Sequence, residues 1–145
     1  MKIIKAEIQN LDDLTPLFDG YRVFYGQPSD IEAVKPFLIE RLTKQDTIIY
    51  IAYIDDEAVG FTHLFHSFSS VYMQPLFILN DLFVASNHRK KGIGVALMEK
   101  AKELCRNLDY KGIALQTETT NPAQHLYESL GWEIDKDLQY FWVKK

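Results

Sequence analysis

Apolar positions change their spacing along this chain often enough to mark out its elements. The opening "KIIKAEI" alternates and predicts a strand. From Asn10, a helix cap with Asp13 in the first turn, Leu14, Leu17, Phe18, Tyr21 and Phe24 or Tyr25 recur at helical spacing. "YGQPSD" is turn chemistry, and Ser29 with Glu32 forms a capping box for a second helix reaching about Lys44. Pro36 predicts a kink in that helix or a delayed start. "TIIYIAYI" and "FTHLFHSF" flank the turn "DDEAVG" as a hairpin. "PLFILNDLFVA" is apolar on both faces, as a strand in the middle of a covered sheet is. Beyond Gly92, Ile93, Leu97, Leu104 and Leu108 form one helical stripe, flanked by Met98, Ala101 and Cys105. "KGIALQT" is the next strand. In "TTNPAQHLYESLG", Asn121 caps a short helix, Pro122 suits its first position, Gln124 closes the box and Gly131 ends it. "WEID" and "LQYFWVKK" read as a closing hairpin. The order β-α-α-β-β-β-α-β-α-β-β predicts a single α/β domain over 1–145, a mixed sheet of about seven strands flanked by about four helices.

Composition narrows the function classes. The 145 residues, 47% hydrophobic and 25% charged, suffice for one globular core. A net charge of -4 argues against a dedicated nucleic-acid binder and suits a cationic substrate. No apolar run is long enough to span a bilayer, and "MKIIKAEIQN" lacks the apolar stretch of an export signal, so the cytoplasm is the expected location. Cys105, the single cysteine, can form neither an internal disulfide nor a metal site alone, and its spacing with Met98 and Ala101 marks it as a small buried hydrophobe. No metal is expected.

Candidate chemistry begins at "NHRKKGIG". A helix N-terminus carries unpaired N–H groups and partial positive charge, and glycines there let a ligand approach the backbone. Arg89, Lys90, Lys91, Gly92, Ile93 and Gly94 supply the cations and glycines directly behind a central strand. In isolation such a stretch reads first as a solvated basic turn. It is not a Walker loop, which needs Gly-Lys-Ser/Thr, nor a dinucleotide fingerprint, because Leu97 stands where a small residue is required.

One strand later come Asn121 and Tyr127, followed by "LYESLGW". With these the chain resembles the GNAT superfamily of acetyl-CoA-dependent N-acetyltransferases, closely from Leu79 to Trp132 and more loosely in its whole element order. In that family Arg89, Gly92 and Gly94 match the R/Q-x-x-G-x-G/A signature that binds the coenzyme A pyrophosphate. The pattern Asn121, Ala123, Leu126, Tyr127, Gly131 matches the second coenzyme-facing helix. The resemblance implies that Leu82, Phe83 and Val84 splay from the neighbouring strand and pair with pantetheine. A backbone N–H there would polarise the thioester carbonyl. It implies that Asn121 contacts the pantetheine arm, a role compatible with helix capping, and that Tyr127 protonates the departing thiolate. By spacing alone Tyr127 fits a core stripe with Ala123, Leu126 and Leu130.

The implied reaction is direct attack of an amine on the thioester in a ternary complex. A lysine-like amine, with a pKa of about 10.4, is free in roughly one molecule in a few thousand at neutral pH, a cost of about 4–5 kcal/mol. A base or a lowered amine pKa has to offset it. Among look-alikes that acetylate polyamines and related amines, the strand before the loop often reads Leu-Glu-Asp, with the glutamate as base. Here it reads Leu79-Asn80-Asp81. Asn80 cannot take a proton, but it can bind a water or the substrate. Alternation puts Asn80, Leu82 and Val84 on one face and Asp81 on the other, as a structural residue. Glu118, Tyr25 and Tyr21 are replacement bases, with a water relay through Asn80 or Glu118 preferred. His63 and His66 read as half-exposed sheet residues and His125 as solvated.

Substrate choice is expected around "GYRVFYGQPSD", where Tyr21, Arg22, Phe24 and Tyr25 offer aromatic faces for an ammonium group. Arg22 fits a carboxylate equally well, and Tyr21 and Phe24 also fit simple packing. The expected acceptor is a small-molecule amine, with no nucleic-acid or membrane partner. The aromatic end "LQYFWVKK" suggests a homodimer. Alternatives are an acyl-CoA sensor without turnover, a protein lysine acetyltransferase, or a nucleotide-binding regulator.

Overall fold

A computed structural model describes residues 1–118, 120–135, 137 and 139–144. The chain divides into two compact units, Met1–Leu115 and Gln116–Lys145.

The first unit is a five-stranded sheet in the order β1-β2-β3-β4-β5. β1 (Lys2–Lys5), β2 (Thr47–Ile54), β3 (Glu57–Ser69) and β4 (Gln74–Val84) pair antiparallel; β5 (Ile113–Leu115) lies parallel to β4. The sheet is therefore mixed, with α3 (Ile93–Asn107) in the crossover from β4 to β5. Helices α1 (Leu11–Phe24) and α2 (Ile31–Lys44) connect β1 to β2.

Each face of the sheet has its own apolar layer. Leu14, Leu17 and Phe18 of α1 and Val34, Leu38 and Leu42 of α2 cluster with Ile49, Ile51 and Phe61. On α3 the buried stripe is Ile93, Leu97, Met98, Ala101 and Cys105. Burying a side chain such as Leu14, Leu38 or Phe61, each 0% exposed, stabilises by about 1.5–3 kcal/mol. Cys105 is buried, its Sγ lies 3.5 Å from the Tyr110 carbonyl, and burial pushes its thiol up from the ordinary range.

Several local details differ from expectation. The cap of α2 is Asp30, whose carboxylate accepts from the Ala33 amide at 3.1 Å; the Ser29 hydroxyl instead donates to Asp19 at 2.7 Å. Two candidate caps compete within this turn, and the Asp19 carboxylate claims the serine. Pro36 lies inside α2, which starts at Ile31, so the proline does not delay the helix. His63 is not half-exposed but fully buried.

In the second unit the only helix among the described residues is α4 (Ala123–Ser129). Asn121 Oδ1 accepts from the Ala123 amide at 3.0 Å, its Nδ2 donates to Thr117 Oγ1 at 2.9 Å, and Gly131 follows the helix with φ +88°. The sheet has five strands among the described residues, not about seven. Residues 132–135 and 139–144 take no strand conformation, while Lys136, Leu138 and Lys145 of the expected closing hairpin lie outside the described residues. Strand propensity measures fit to a partner surface, and alternation within one segment does not supply the partner.

Candidate active site

The ladder between β4 and β5 ends at Leu79–Leu115, yet β4 continues through Asn80, Asp81, Leu82 and Phe83 to Val84. Along this stretch β4 pairs with β3 only, among the described residues. Leu82, Phe83 and Val84 thus lie past the point where the two parallel strands part.

Gly60 sits opposite Val84, and a Cβ on it would come within 2.8 Å of the Phe83 carbonyl oxygen. Only glycine lets β3 and β4 run this close there.

Beyond Val84, a turn at Ser86–His88 leads into the basic loop. Lys90 has φ +63° and Gly92, at the start of α3, φ +79°. Gly92 offers no side chain to cap this helix, and no acidic residue lies in its first turn. The N-terminal amides and partial positive charge are thereby left for an external anion. Ile93 contributes only backbone here, since its side chain is 2% exposed in the core. Arg89 is held in place: its Nε donates to the Val84 carbonyl at 3.1 Å, and its guanidinium lies 5.3 Å from the Phe24 ring centre and 5.7 Å from that of Phe83. Lys91 Nζ lies 3.5 Å from His88 Nδ1, and His88 Nε2 faces Glu57 at 3.4 Å.

The four expected substrate residues gather at the end of α1, not in the loop after it. Tyr21, Arg22 and Phe24 are in its final turns, and Tyr25 ends it. The Tyr21 ring lies 4.9 Å from that of Tyr25 and 6.4 Å from Phe83. Its hydroxyl donates to the Asn80 carbonyl at 3.3 Å. Burial first, and the Asp81 carboxylate second, push the Tyr21 phenol well above its ordinary range. Arg22 Nη1 donates to the Pro28 carbonyl at 3.4 Å. The structure thus brings this helix end, the end of β4 and Arg89 together.

Behind them runs a buried polar chain that alternation did not reveal. His63 pairs with Asp81 but Leu64 pairs with Leu79, so Asn80 is the extra residue of a bulge. Phe83 and Asp81 pair with Phe61 and His63, on the α1 side of the sheet. His63 Nδ1 lies 2.9 Å from Asp81 Oδ2, and His63 Nε2 lies 2.7 Å from Thr47 Oγ1. Asn80 Nδ2 donates to Asp81 Oδ1 at 2.8 Å. Asp81 is thus buried with a histidine and an amide among its partners. No sequence signal could have found the pairing, because it depends on the register between two strands.

The second unit holds the remaining candidates. The Tyr127 ring lies 6.4 Å from that of Trp132. The Glu118 carbonyl receives the Asn121 amide at 3.0 Å. No cluster of metal-ligating side chains occurs among the described residues. A depression of about 390 Å³ lies elsewhere, between Lys5, Glu7, Arg41, Gln45 and Thr47. It shares no residue with the basic loop before α3 or with the end of β4, so we place the candidate site at the end of β4 instead.

Comparison with known proteins bears directly on this geometry. A family model described as an acetyltransferase (GNAT) domain matches residues 45–134. An N-acetyltransferase of uncharacterized role in Bacillus subtilis (strain 168), YhfO, is 40% identical over 142 residues, covering 97% of this chain and 95% of that protein. A probable acetyltransferase of Haemophilus influenzae is 33% identical, covering 88% of this chain and 97% of that one. A crystal structure of a probable acetyltransferase superposes with a TM-score of 0.92 at 35% identity, covering 100% of this chain and 98% of that one.

Proposed function

This chain belongs to the GNAT family of acetyltransferases, and we propose that it transfers the acetyl group of acetyl-CoA to a primary amine of a small, polyamine-, diamine- or amino-acid-like molecule. The observation that carries the donor half is the uncapped, acid-free N-terminus of α3 behind Arg89-Lys90-Lys91. These residues suit a pyrophosphate, and the ladder's end at Leu79–Leu115 leaves β4 backbone for a pantetheine arm. Bound there, the coenzyme supplies an activated acetyl thioester.

The chain's own residues then have distinct tasks. Backbone amides at Ile93 and Gly94, with Arg89, Lys90 and Lys91, hold the diphosphate. Backbone at Leu82, Phe83 and Val84 aligns the arm, and an N–H in this stretch polarises the carbonyl. Asn121 binds the arm while its Oδ1 accepts from the Ala123 amide at 3.0 Å. Tyr127 protonates the leaving thiolate. Tyr21, Phe24 and Tyr25 offer ring faces to the amine, and Arg22 fits an acceptor that also carries a carboxylate. Water held at Asn80 or Glu118 receives the amine's proton, and attack occurs directly in a ternary complex. What supports treating residues 1–145 as one catalytic domain is that the family match crosses the division at Leu115–Gln116.

The test is an amine panel with acetyl-CoA, read as thiol release. Turnover of at least one small amine, preferred over lysine peptides, is the expected result; turnover of peptides alone would replace the small-molecule acceptor. An acyl-CoA sensor is the second reading, favoured by the amide at Asn80. It predicts coenzyme-induced stabilisation with no turnover of any amine.

A further inference from the structure

Asn80 stands out at the bulge because it is exposed while its neighbour Asp81 is 3% exposed. Its side chain has two chemically different ends, a donor NH2 and an acceptor oxygen. The buried chain behind it decides which end faces outward.

Asp81 as a carboxylate only accepts hydrogen bonds. The Asn80 atom 2.8 Å from Asp81 Oδ1 is therefore the amide nitrogen, and the His63 Nδ1 2.9 Å from Oδ2 carries a proton. Thr47 completes the chain at 2.7 Å from His63 Nε2; its hydroxyl can donate to a neutral ring or accept from a charged one. The Thr62 hydroxyl donates to the Asp81 carbonyl at 2.8 Å, and Tyr21 donates to the Asn80 carbonyl at 3.3 Å. Backbone and side chain are thus both held at the bulge. With its nitrogen committed to Asp81, Asn80 turns its side-chain oxygen away from the carboxylate.

We propose that Thr47, His63 and Asp81 are positioning residues that lock the polarity of Asn80, so that Asn80 presents its side-chain oxygen to an N–H of the acceptor amine. This rests on the amine-transferase reading above. The matching group is a pure donor, an amine or ammonium. A carboxylate at this position would meet an acceptor and be repelled. An aspartate in place of Asn80 would lose the amide donor that now meets Asp81 Oδ1 at 2.8 Å.

The test is steady-state kinetics with the preferred amine of the panel. Asn80→Ala is expected to raise the amine KM about ten-fold, the loss of one hydrogen bond to a charged group, and to leave the acetyl-CoA KM within about two-fold. His63→Gln is expected to raise the amine KM alone, although His63 is too deep to touch substrate. In the double variant the two effects should not add, since both act through one oxygen. Where His63→Gln does not fold, Asp81→Asn and Thr47→Val replace it in the same cycle. An unchanged amine KM in Asn80→Ala, or full additivity, overturns the proposal while leaving amine transfer intact. Failure of the unaltered protein to acetylate any amine ends both.

Discussion

Tyr127 and Gly60 illustrate two kinds of single-residue dependence. If Tyr127 protonates the leaving thiolate, Tyr127→Phe lowers kcat by about 10²–10⁴ and leaves the acetyl-CoA KM nearly unchanged; pre-steady-state and steady-state thiol release measure this. An equal rise in KM with no change in kcat would assign Tyr127 to packing, in line with its contact to Trp132. Gly60 acts through space alone. A methyl group there meets the Phe83 oxygen at 2.8 Å, so Gly60→Ala forces β3 and β4 apart at the end of β4. The expected cost is about 1–3 kcal/mol in urea denaturation, the usual range for overpacking. At this scale the basic loop before α3 was legible, because Arg89, Gly92 and Gly94 form a local pattern. His63 and Asp81 were not, because their pairing spans two strands and a bulge at Asn80 resets the alternation. Ser29 misled for a related reason: its capping pattern is local, but its partner Asp19 lies on another helix.

At the scale of elements, the end of α1 is tied both to Arg89 of the basic loop and to the start of α2. Phe24 lies against Arg89, so this ring, expected from sequence to meet substrate, also packs on the cation proposed to hold the coenzyme. Phe24→Ala is accordingly expected to raise the acetyl-CoA KM roughly two- to five-fold, the value of one exposed cation–π contact. A change confined to the amine KM would break that link. Asp19 ties α1 to the start of α2 through the Ser29 hydroxyl at 2.7 Å and the Asp30 amide at 2.8 Å. Those hydrogen bonds, the serine's first, hold its carboxyl below the ordinary carboxylate range. A depressed folded pKa contributes stability above the unfolded value of about 3.9, and that stability is lost as pH falls through the folded one. Asp19→Asn should therefore lower Tm at neutral pH and flatten the acid limb of the stability profile. Element order was legible as far as α4, since hydrophobic period and turn residues are local signals. β5 shrank to Ile113–Leu115, a length set by where its ladder with Leu79 stops.

For the whole molecule, coenzyme binding and assembly are the measurable consequences. Acetyl-CoA at about a hundred times its dissociation constant should stabilise the protein by roughly 2.7 kcal/mol, and the melting temperature should climb with coenzyme concentration. No shift would remove acetyl-CoA as the ligand. If the aromatic run at 140–142 docks a second copy, light scattering should give the mass of a dimer; a monomer at all concentrations would dismiss that assembly. Cys105 has a practical consequence for these assays. It is the chain's single cysteine, shielded on the inner face of α3, with its thiol kept protonated by burial. A chromogenic thiol reagent should consequently count released coenzyme against a low protein background. Slow alkylation of the same sulfur, followed by mass spectrometry, would time the opening of α3 and ask whether ligand at its N-terminus slows it.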